Sequence, residues 1–280
     1  MKVIESISKM QTEAQALRAE GKRIALVPTM GSLHEGHLSL VGLAKKKADV
    51  VVLSIFVNPK QFAPNEDFAR YPRDRDRDRK FCKEHGIDII FAPKDAAMYP
   101  ETYSTYVDEG ELSMVLCGVS RPGHFRGVCT VVAKLFNNVQ PHVAVFGQKD
   151  AQQVAIIKRM VRDLHFPVQI VVGPTAREED GLALSSRNVY FTPSQRLEAS
   201  KIYESLQKAK EMVASGMLQS DRIVGESLHH LTQSLKIRVI YVSLVERGTL
   251  KPLRILKPGH SLLAVAVWLD GIRLIDNIEL

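Results

Sequence analysis

The sequence predicts an α/β fold: a Rossmann-like parallel sheet domain followed by a smaller α+β C-terminal domain. Three observations predict it. Through the first 175 residues, short apolar runs alternate with amphipathic stretches, and strands separated by helices imply a parallel sheet with right-handed crossovers. After about residue 176 the alternation stops, and long helical stretches lead to strand-like runs near the end. Asp270-Gly271 between the last two of those runs is a hairpin signal. The expected division is therefore 1–175 and 176–280, with the second part acting as a lid.

The elements follow in order from local patterns. Strands are expected over 24–27, 50–57, 87–91, 143–146 and 168–172, where apolar residues run without interruption, as in strands buried on both faces. Helices are expected near 3–20, 36–47, 73–85, 126–138 and 150–164. A polar loop over 177–188 leads to a helix opened by Thr192-Pro193, an N-cap with proline at the first helical position. A second helix near 220–235 precedes strands near 237–245, 261–269 and 272–276.

Ligands on such sheets bind beyond the carboxyl ends of the strands. Four polar, turn-rich loops follow strand ends here: Met30 to His37, Asn58-Pro59-Lys60-Gln61, Gly147-Gln148-Lys149-Asp150, and Gly173-Pro174-Thr175. Their convergence on one rim marks the expected site. In the first loop, His34 and His37 stand three apart at a helix start, where free N–H groups and the helix dipole attract phosphate. A short His-x-x-His match is also compatible with ordinary helix capping. Gly36 costs stability in a first helical turn and is sensible where something approaches the backbone closely.

Lys149 can reach triphosphate oxygens as a point charge. Asp150 can bind ribose hydroxyls or cap the helix that follows. The neutral amides of Gln61, Gln152 and Gln153 suit the hydroxyls and carboxylate of a polar small substrate. Ser185, Ser186 and Arg187, in the loop between the two parts, could clamp phosphate or serve only as a hinge. Ser120 to Gly127 forms a second basic, turn-rich loop that can line the site.

Composition limits the alternatives. The 280 residues are 45% hydrophobic and 25% charged, ordinary for a globular protein. Three scattered cysteines, Cys82, Cys117 and Cys129, fit free thiols in a reducing compartment rather than a disulfide framework or zinc site. No apolar run is long enough to span a membrane and no signal-peptide pattern opens the chain, so a cytoplasmic protein without membrane contact is expected. The net charge of +7 suits anionic ligands. The densest basic run, from Arg73 to Lys80, alternates in sign and lacks aromatics. It reads as a solvated helix face rather than a nucleic-acid patch.

With these residues assembled, the chain resembles the pantoate–β-alanine ligase (pantothenate synthetase) family of the nucleotidyltransferase superfamily. The resemblance rests on ordered motifs along nearly the whole chain. They are Pro-Thr-Met-Gly-x-Leu-His-x-Gly-His at 28–37, Phe-Val-Asn-Pro-x-Gln-Phe at 56–62, Arg-Pro-Gly-His-Phe at 121–125, Phe-Gly-Gln-Lys-Asp at 146–150 and Asp-Gly-Leu-Ala-Leu-Ser-Ser-Arg-Asn at 180–188. Leu184 stands where many members carry methionine.

The resemblance implies ATP-dependent condensation of (R)-pantoate with β-alanine through pantoyl adenylate, releasing pyrophosphate and AMP. It places Met30, Gly31, Ser32, Leu33, His34, Glu35, Gly36 and His37 at ATP, with Gly147, Gln148, Lys149, Asp150, the backbone of Ala176, Leu184, Ser185, Ser186 and Arg187. His37 is the family's proton donor, and the catalytic set is His37, His34, Lys149 and Arg187. Gln61, Gln153 and Asn58 fall at the substrate. Mg2+ is expected on the phosphates without a protein cage, and a homodimer is implied. The rivals are another adenylyltransferase of the superfamily, which would not be expected to join the Asn58–Gln61 loop to Gln152-Gln153, and an RNA-binding module derived from a synthetase core.

Overall fold

The computed structural model describes residues 1–64 and 66–280. Its first part contains strands β1 (Lys2–Ile4), β2 (Ile24–Thr29), β3 (Val50–Ile55), β4 (Ile89–Phe91), β5 (Val143–Gly147) and β6 (Gln169–Gly173). They form a six-stranded sheet in the order β1-β4-β3-β2-β5-β6. Every adjacent pair is parallel. The crossovers carry α1 (Ile7–Ala19), α2 (Glu35–Lys45), α3 (Arg75–Glu84), the single turns α4 (Asp95–Met98) and α5 (Cys117–Ser120), then α6 (His124–Val139) and α7 (Ala151–Asp163).

Alternation along β2 shows how the layers are built. Ile24 and Leu26 join the core that includes Met10 and Ala14 of α1 and Val128, Val132 and Phe136 of α6. Ala25 and Val27 join Val41 and Ala44 of α2 and Cys82 of α3 on the opposite face. Helices thus cover both faces, which is why the strands read as unbroken apolar runs. The strand order reverses at β2, whose neighbours are β3 on one side and β5 on the other. That reversal is the topological switch point where such sheets bind ligands.

One expected element divides in two. The sequence predicts a single helix over 3–20, whereas Lys2, Val3 and Ile4 pair with Ile89, Ile90 and Phe91 at the sheet edge. The helix begins only at Ile7, where Ser6 accepts from the Lys9 N–H as N-cap. A three-residue strand is too short to show a period of its own.

The second part holds α8 (Pro193–Ala214), α9 (Ser220–Thr232), and strands β7 (Ile237–Glu246), β8 (Ser261–Leu269) and β9 (Ile272–Glu279). The strands form an antiparallel sheet in the order β7-β8-β9. Thr192 and Gln195 form a reciprocal capping box at the start of α8. Asp270 and Gly271 both take positive φ, +45° and +85°, as a two-residue hairpin turn requires. A second core, including Leu206, Ile223, Leu231, Leu263 and Val267, is drawn wholly from this part. Val245, Leu250, Leu262 and Ala264 instead join the first core, so β7 and β8 also pack toward the larger sheet. Cys82, Cys117 and Cys129 are free and buried. Among the described residues no helix is long and apolar enough to cross a membrane.

Candidate active site

A cavity of about 660 Å³ opens at the switch point, beyond the ends of β2 and β5. Its wall takes residues from all the expected rim loops: Met30, His34, Gly36 and His37; Asn58 and Gln61; Gly147, Lys149 and Asp150; Pro174, Thr175 and Ala176. Leu184, Ser185, Ser186 and Arg187 close one side, and Arg273 to Asp276 of β9 supply another.

The histidine turn is fixed by its own main chain. His34 is the N-cap of α2. Its Nδ1 accepts from the Gly36 N–H at 3.2 Å, and the Nδ1 of His37 accepts from the His34 N–H at 3.3 Å. A backbone amide can only donate, so each ring carries its proton on Nε2. Burial, with Lys149 and Arg77 nearby, pushes the pKa of His34 down to about 4. Burial, with His34 and Lys149 nearby, pushes that of His37 down to about 3. At neutral pH the pair therefore presents two uncharged rings, 4.1 Å apart, each with an Nε2–H to donate.

Gly36 meets the His34 ring itself: a Cβ there would lie 2.9 Å from Nδ1 and Cε1. The close approach expected from the sequence thus comes from the neighbouring side chain. The turn before it is held by Asp78, a residue whose sequence context reads as a solvated charged face. Asp78 is 2% exposed and accepts from the N–H groups of Ser32 and Leu33 at 2.9 and 2.8 Å. Gly31 lies so close to it, at φ +80°, that a Cβ would come 2.8 Å from Oδ2. With Cys82 one turn on, Asp78 forms the buried side of α3. An apolar residue four positions from one aspartate in a charged run is the only sequence signal for it.

Lys149 is half-buried, and desolvation lowers its pKa. Its Nζ donates to the Leu184 carbonyl at 3.1 Å, joining the β5 rim to the 184–187 loop. Asp150 makes no side-chain cap bond to α7, so the capping alternative is set aside, and the residue lines the cavity. Arg187 is already paired: Nε and Nη2 reach the two oxygens of Asp67 at 2.9 Å each. Ser186 shares a hydrogen bond with Tyr71 at 2.8 Å, while Ser185 accepts from the Arg187 N–H. The clamp expected to meet phosphate is therefore latched onto the segment around 67–71.

The amides separate into two kinds. Gln61 and Gln153 line the cavity, and the Gln61 amide rests on the Met30 sulfur at 3.1 Å. Asn58 reaches the wall too, but all four of its hydrogen-bonding positions are taken. Its Nδ2 donates to Gln61 Oε1 and the Gly127 carbonyl, and its Oδ1 accepts from the Lys60 N–H and the Tyr99 hydroxyl. Through the first of these bonds it supports Gln61. Gln152 is likewise structural, bonding the Cys117 N–H and the carbonyls of Leu112 and Val115.

Some residues that the resemblance places at ATP are absent from the cavity wall. Gly31 and Ser32 form the turn over Asp78. Leu33 is 1% exposed in the α2 core. Glu35 is exposed. Gln148 faces Asn277 of β9, whose amide donates to the Gln148 and Lys149 carbonyls. His37 and Lys149 are half-buried.

Among the described residues no three His, Cys, Asp or Glu side chains gather as a metal site. The cavity wall carries as many carboxylates as Lys and Arg side chains, so an anionic ligand bound there brings its own counter-ion.

Comparison with known proteins agrees with this geometry. The family model for pantoate-beta-alanine ligase matches residues 2–279. A pantothenate synthetase of Thermotoga petrophila is 52% identical over 277 residues, covering 99% of each chain. One from Moorella thermoacetica is 51% identical, covering 100% of this chain and 99% of that relative. A pantothenate synthetase structure from Thermus thermophilus superposes with a TM-score of 0.94 at 45% identity, covering 100% of this chain and 99% of that one. A pantoate-beta-alanine ligase from Francisella tularensis, complexed with beta-gamma ATP and beta-alanine, gives 0.83 at 32% identity, covering 100% and 97%. With its motifs gathered around one cavity and its whole length matched, the chain belongs to the pantoate–β-alanine ligase family.

Proposed function

We propose that this cavity condenses (R)-pantoate with β-alanine at the expense of ATP, through a pantoyl-adenylate intermediate. The observation that carries the reading is the meeting of the histidine turn, Lys149 and the 184–187 loop with the amides of Gln61 and Gln153 on one wall. The first group suits phosphates and the second a polar carboxylate substrate.

In the first step a pantoate carboxylate oxygen attacks the α-phosphorus and pyrophosphate leaves. Pantoate is already ionised, so no strong base is needed. The barrier lies in bringing two anions together and spreading the charge of the transition state. His34 and His37 donate Nε2–H to phosphate oxygens, and Lys149 and Arg187 supply positive charge. In the unliganded site burial, with His34 and Lys149 nearby, pushes the His37 pKa down to about 3, so its neutral ring meets phosphate as a hydrogen-bond donor. Gln61 and Gln153 hold pantoate, with Asn58 bracing Gln61. In the second step the β-alanine amine attacks the acyl carbon and AMP leaves with the carboxylate oxygen.

Met30, Gly36, Gly147, Asp150, Ala176, Leu184, Ser185 and Ser186 complete the ATP wall, with Asp150 toward the ribose. Gly31, Ser32, Leu33, Glu35 and Gln148 set its backbone. Mg2+, carried on phosphate and water oxygens, offsets the triphosphate charge when bound. The 1–175 part binds ATP and pantoate. The 176–280 part closes over them and keeps water from the reactive anhydride. A cytoplasmic homodimer completes the reading.

The test is exchange of labelled pyrophosphate into ATP without β-alanine. Exchange that depends on pantoate is expected. A requirement for β-alanine would overturn the adenylate, and equal exchange with unrelated carboxylates would overturn the substrate.

A further inference from the structure

The motif Arg121-Pro122-Gly123-His124-Phe125 stands apart from the phosphate machinery, yet two of its side chains reach the residue assigned to pantoate. His124 opens α6 after Gly123, which turns the chain at φ +79°. The Nδ1 of His124 lies 2.8 Å from the Gln61 carbonyl oxygen, and its Nε2 lies 2.9 Å from Nη1 of Arg121. A carbonyl only accepts and a guanidinium only donates, so the ring is fixed as the Nδ1–H tautomer with both nitrogens engaged.

Arg121 is itself braced. Its Nε and Nη2 donate to the two oxygens of Glu66 at 2.5 Å each, and Nη2 also reaches the Gln61 carbonyl at 3.3 Å. Both partners of this pair are largely shielded, with side chains 13% and 14% exposed. The first turn of α6 presses directly on the same main chain: a Cβ at Gly127 would lie 2.2 Å from the Lys60 carbonyl oxygen and 2.7 Å from the Gln61 nitrogen. Asn58 holds the side-chain oxygen of Gln61 from the other direction at 3.0 Å.

We propose that His124 is a positioning residue for pantoate: braced by Arg121 and Glu66, its Nδ1–H fixes the main chain of Gln61 and so aims the Gln61 amide at the substrate. The proposal rests on the assignment of Gln61 to pantoate made above. A residue that orients one binding amide acts on ground-state binding of that substrate alone. Its loss raises KM for pantoate, leaves KM for ATP in place, and changes kcat little.

The test compares His124→Ala, His124→Asn, His124→Gln and Gln61→Ala in the full-length enzyme, with KM for pantoate, ATP and β-alanine measured separately. Asparagine places an amide N–H near the position of Nδ1, whereas glutamine replaces Nε2. His124→Ala should raise KM for pantoate about tenfold, the size of one lost hydrogen bond, with KM for ATP within about twofold. His124→Asn should recover most of the loss and His124→Gln little of it. An unchanged KM for pantoate in His124→Ala overturns the proposal. So does a defect confined to β-alanine, which would make the motif part of the amine site. So does His124→Asn no better than His124→Ala, which would reduce the role to packing. Gln61→Ala separates the two levels. If it raises KM for pantoate and His124→Ala does not, only the positioning role fails. If it does not, the Gln61 assignment fails and the proposal with it.

Discussion

At His34 and His37 the main chain decides which nitrogen carries the proton. Each Nδ1 is occupied by a backbone N–H, which leaves Nε2–H toward the cavity. Burial and the neighbouring cations disfavour the charged form, so the folded pKa values fall from 6.5 to about 4 and about 3. Both rings should therefore stay neutral as pH falls from 8 to 5. Nitrogen-labelled imidazole NMR on the unliganded enzyme should report the Nε2–H tautomer with no titration in that interval, and an inflection near 6.5 would contradict it. His37→Ala and Lys149→Ala should each slow pyrophosphate exchange by a factor of about a hundred or more, as for a lost transition-state donor. Because His37 also accepts from the His34 N–H, its loss should lower thermal stability by about 1 kcal/mol as well. Near-normal exchange in either variant would remove that residue from the catalytic set.

The elements place these residues through contacts that a local pattern conveys only in part. The rim loops were legible because each follows an apolar strand and ends in glycine, proline or a polar run. The hairpin at Asp270-Gly271 and the cap at Thr192 were legible for the same reason: turn and cap chemistry is written in adjacent residues. Asp78 was not, because the direction of a charged side chain on α3 depends on where the helix packs. Lys2 to Ile4 escaped because an edge strand of three residues is defined by its partner Ile89–Phe91. Asn58 and Gln61 looked equivalent in the motif, and the partners of Asn58 at Gly127 and Tyr99 show only in the fold. The same applies to the latch. Arg187 pairs with Asp67 and Tyr190 donates to the Arg70 carbonyl at 2.9 Å, so the 184–187 loop is held by a carboxylate where phosphate is expected. Asp67→Asn weakens that competitor, and calorimetry should show ATP binding several-fold tighter. Weaker binding would show that Asp67 helps hold the nucleotide. Arg187→Lys keeps the charge but loses the planar fork, so its exchange rate should fall between those of wild type and Arg187→Ala.

For the whole molecule, the fold class followed from the alternation of strands and helices and its end near residue 176. The position of the cavity followed from the reversal of strand order at β2. What the sequence could not supply was how the C-terminal sheet meets the larger one. Val245, Leu250, Leu262 and Ala264 join the first core, and Arg273 to Asp276 of β9 form part of the cavity wall, so the smaller part helps build the site. In the proposed reaction both substrates meet there and pantoate attacks the α-phosphate. The sharpest test follows the oxygen. Pantoate carrying heavy oxygen in its carboxylate, turned over with ATP and β-alanine, should deliver one labelled oxygen to AMP and none to pyrophosphate. AMP without the label, or label in an inorganic phosphate product, would rule that reaction out.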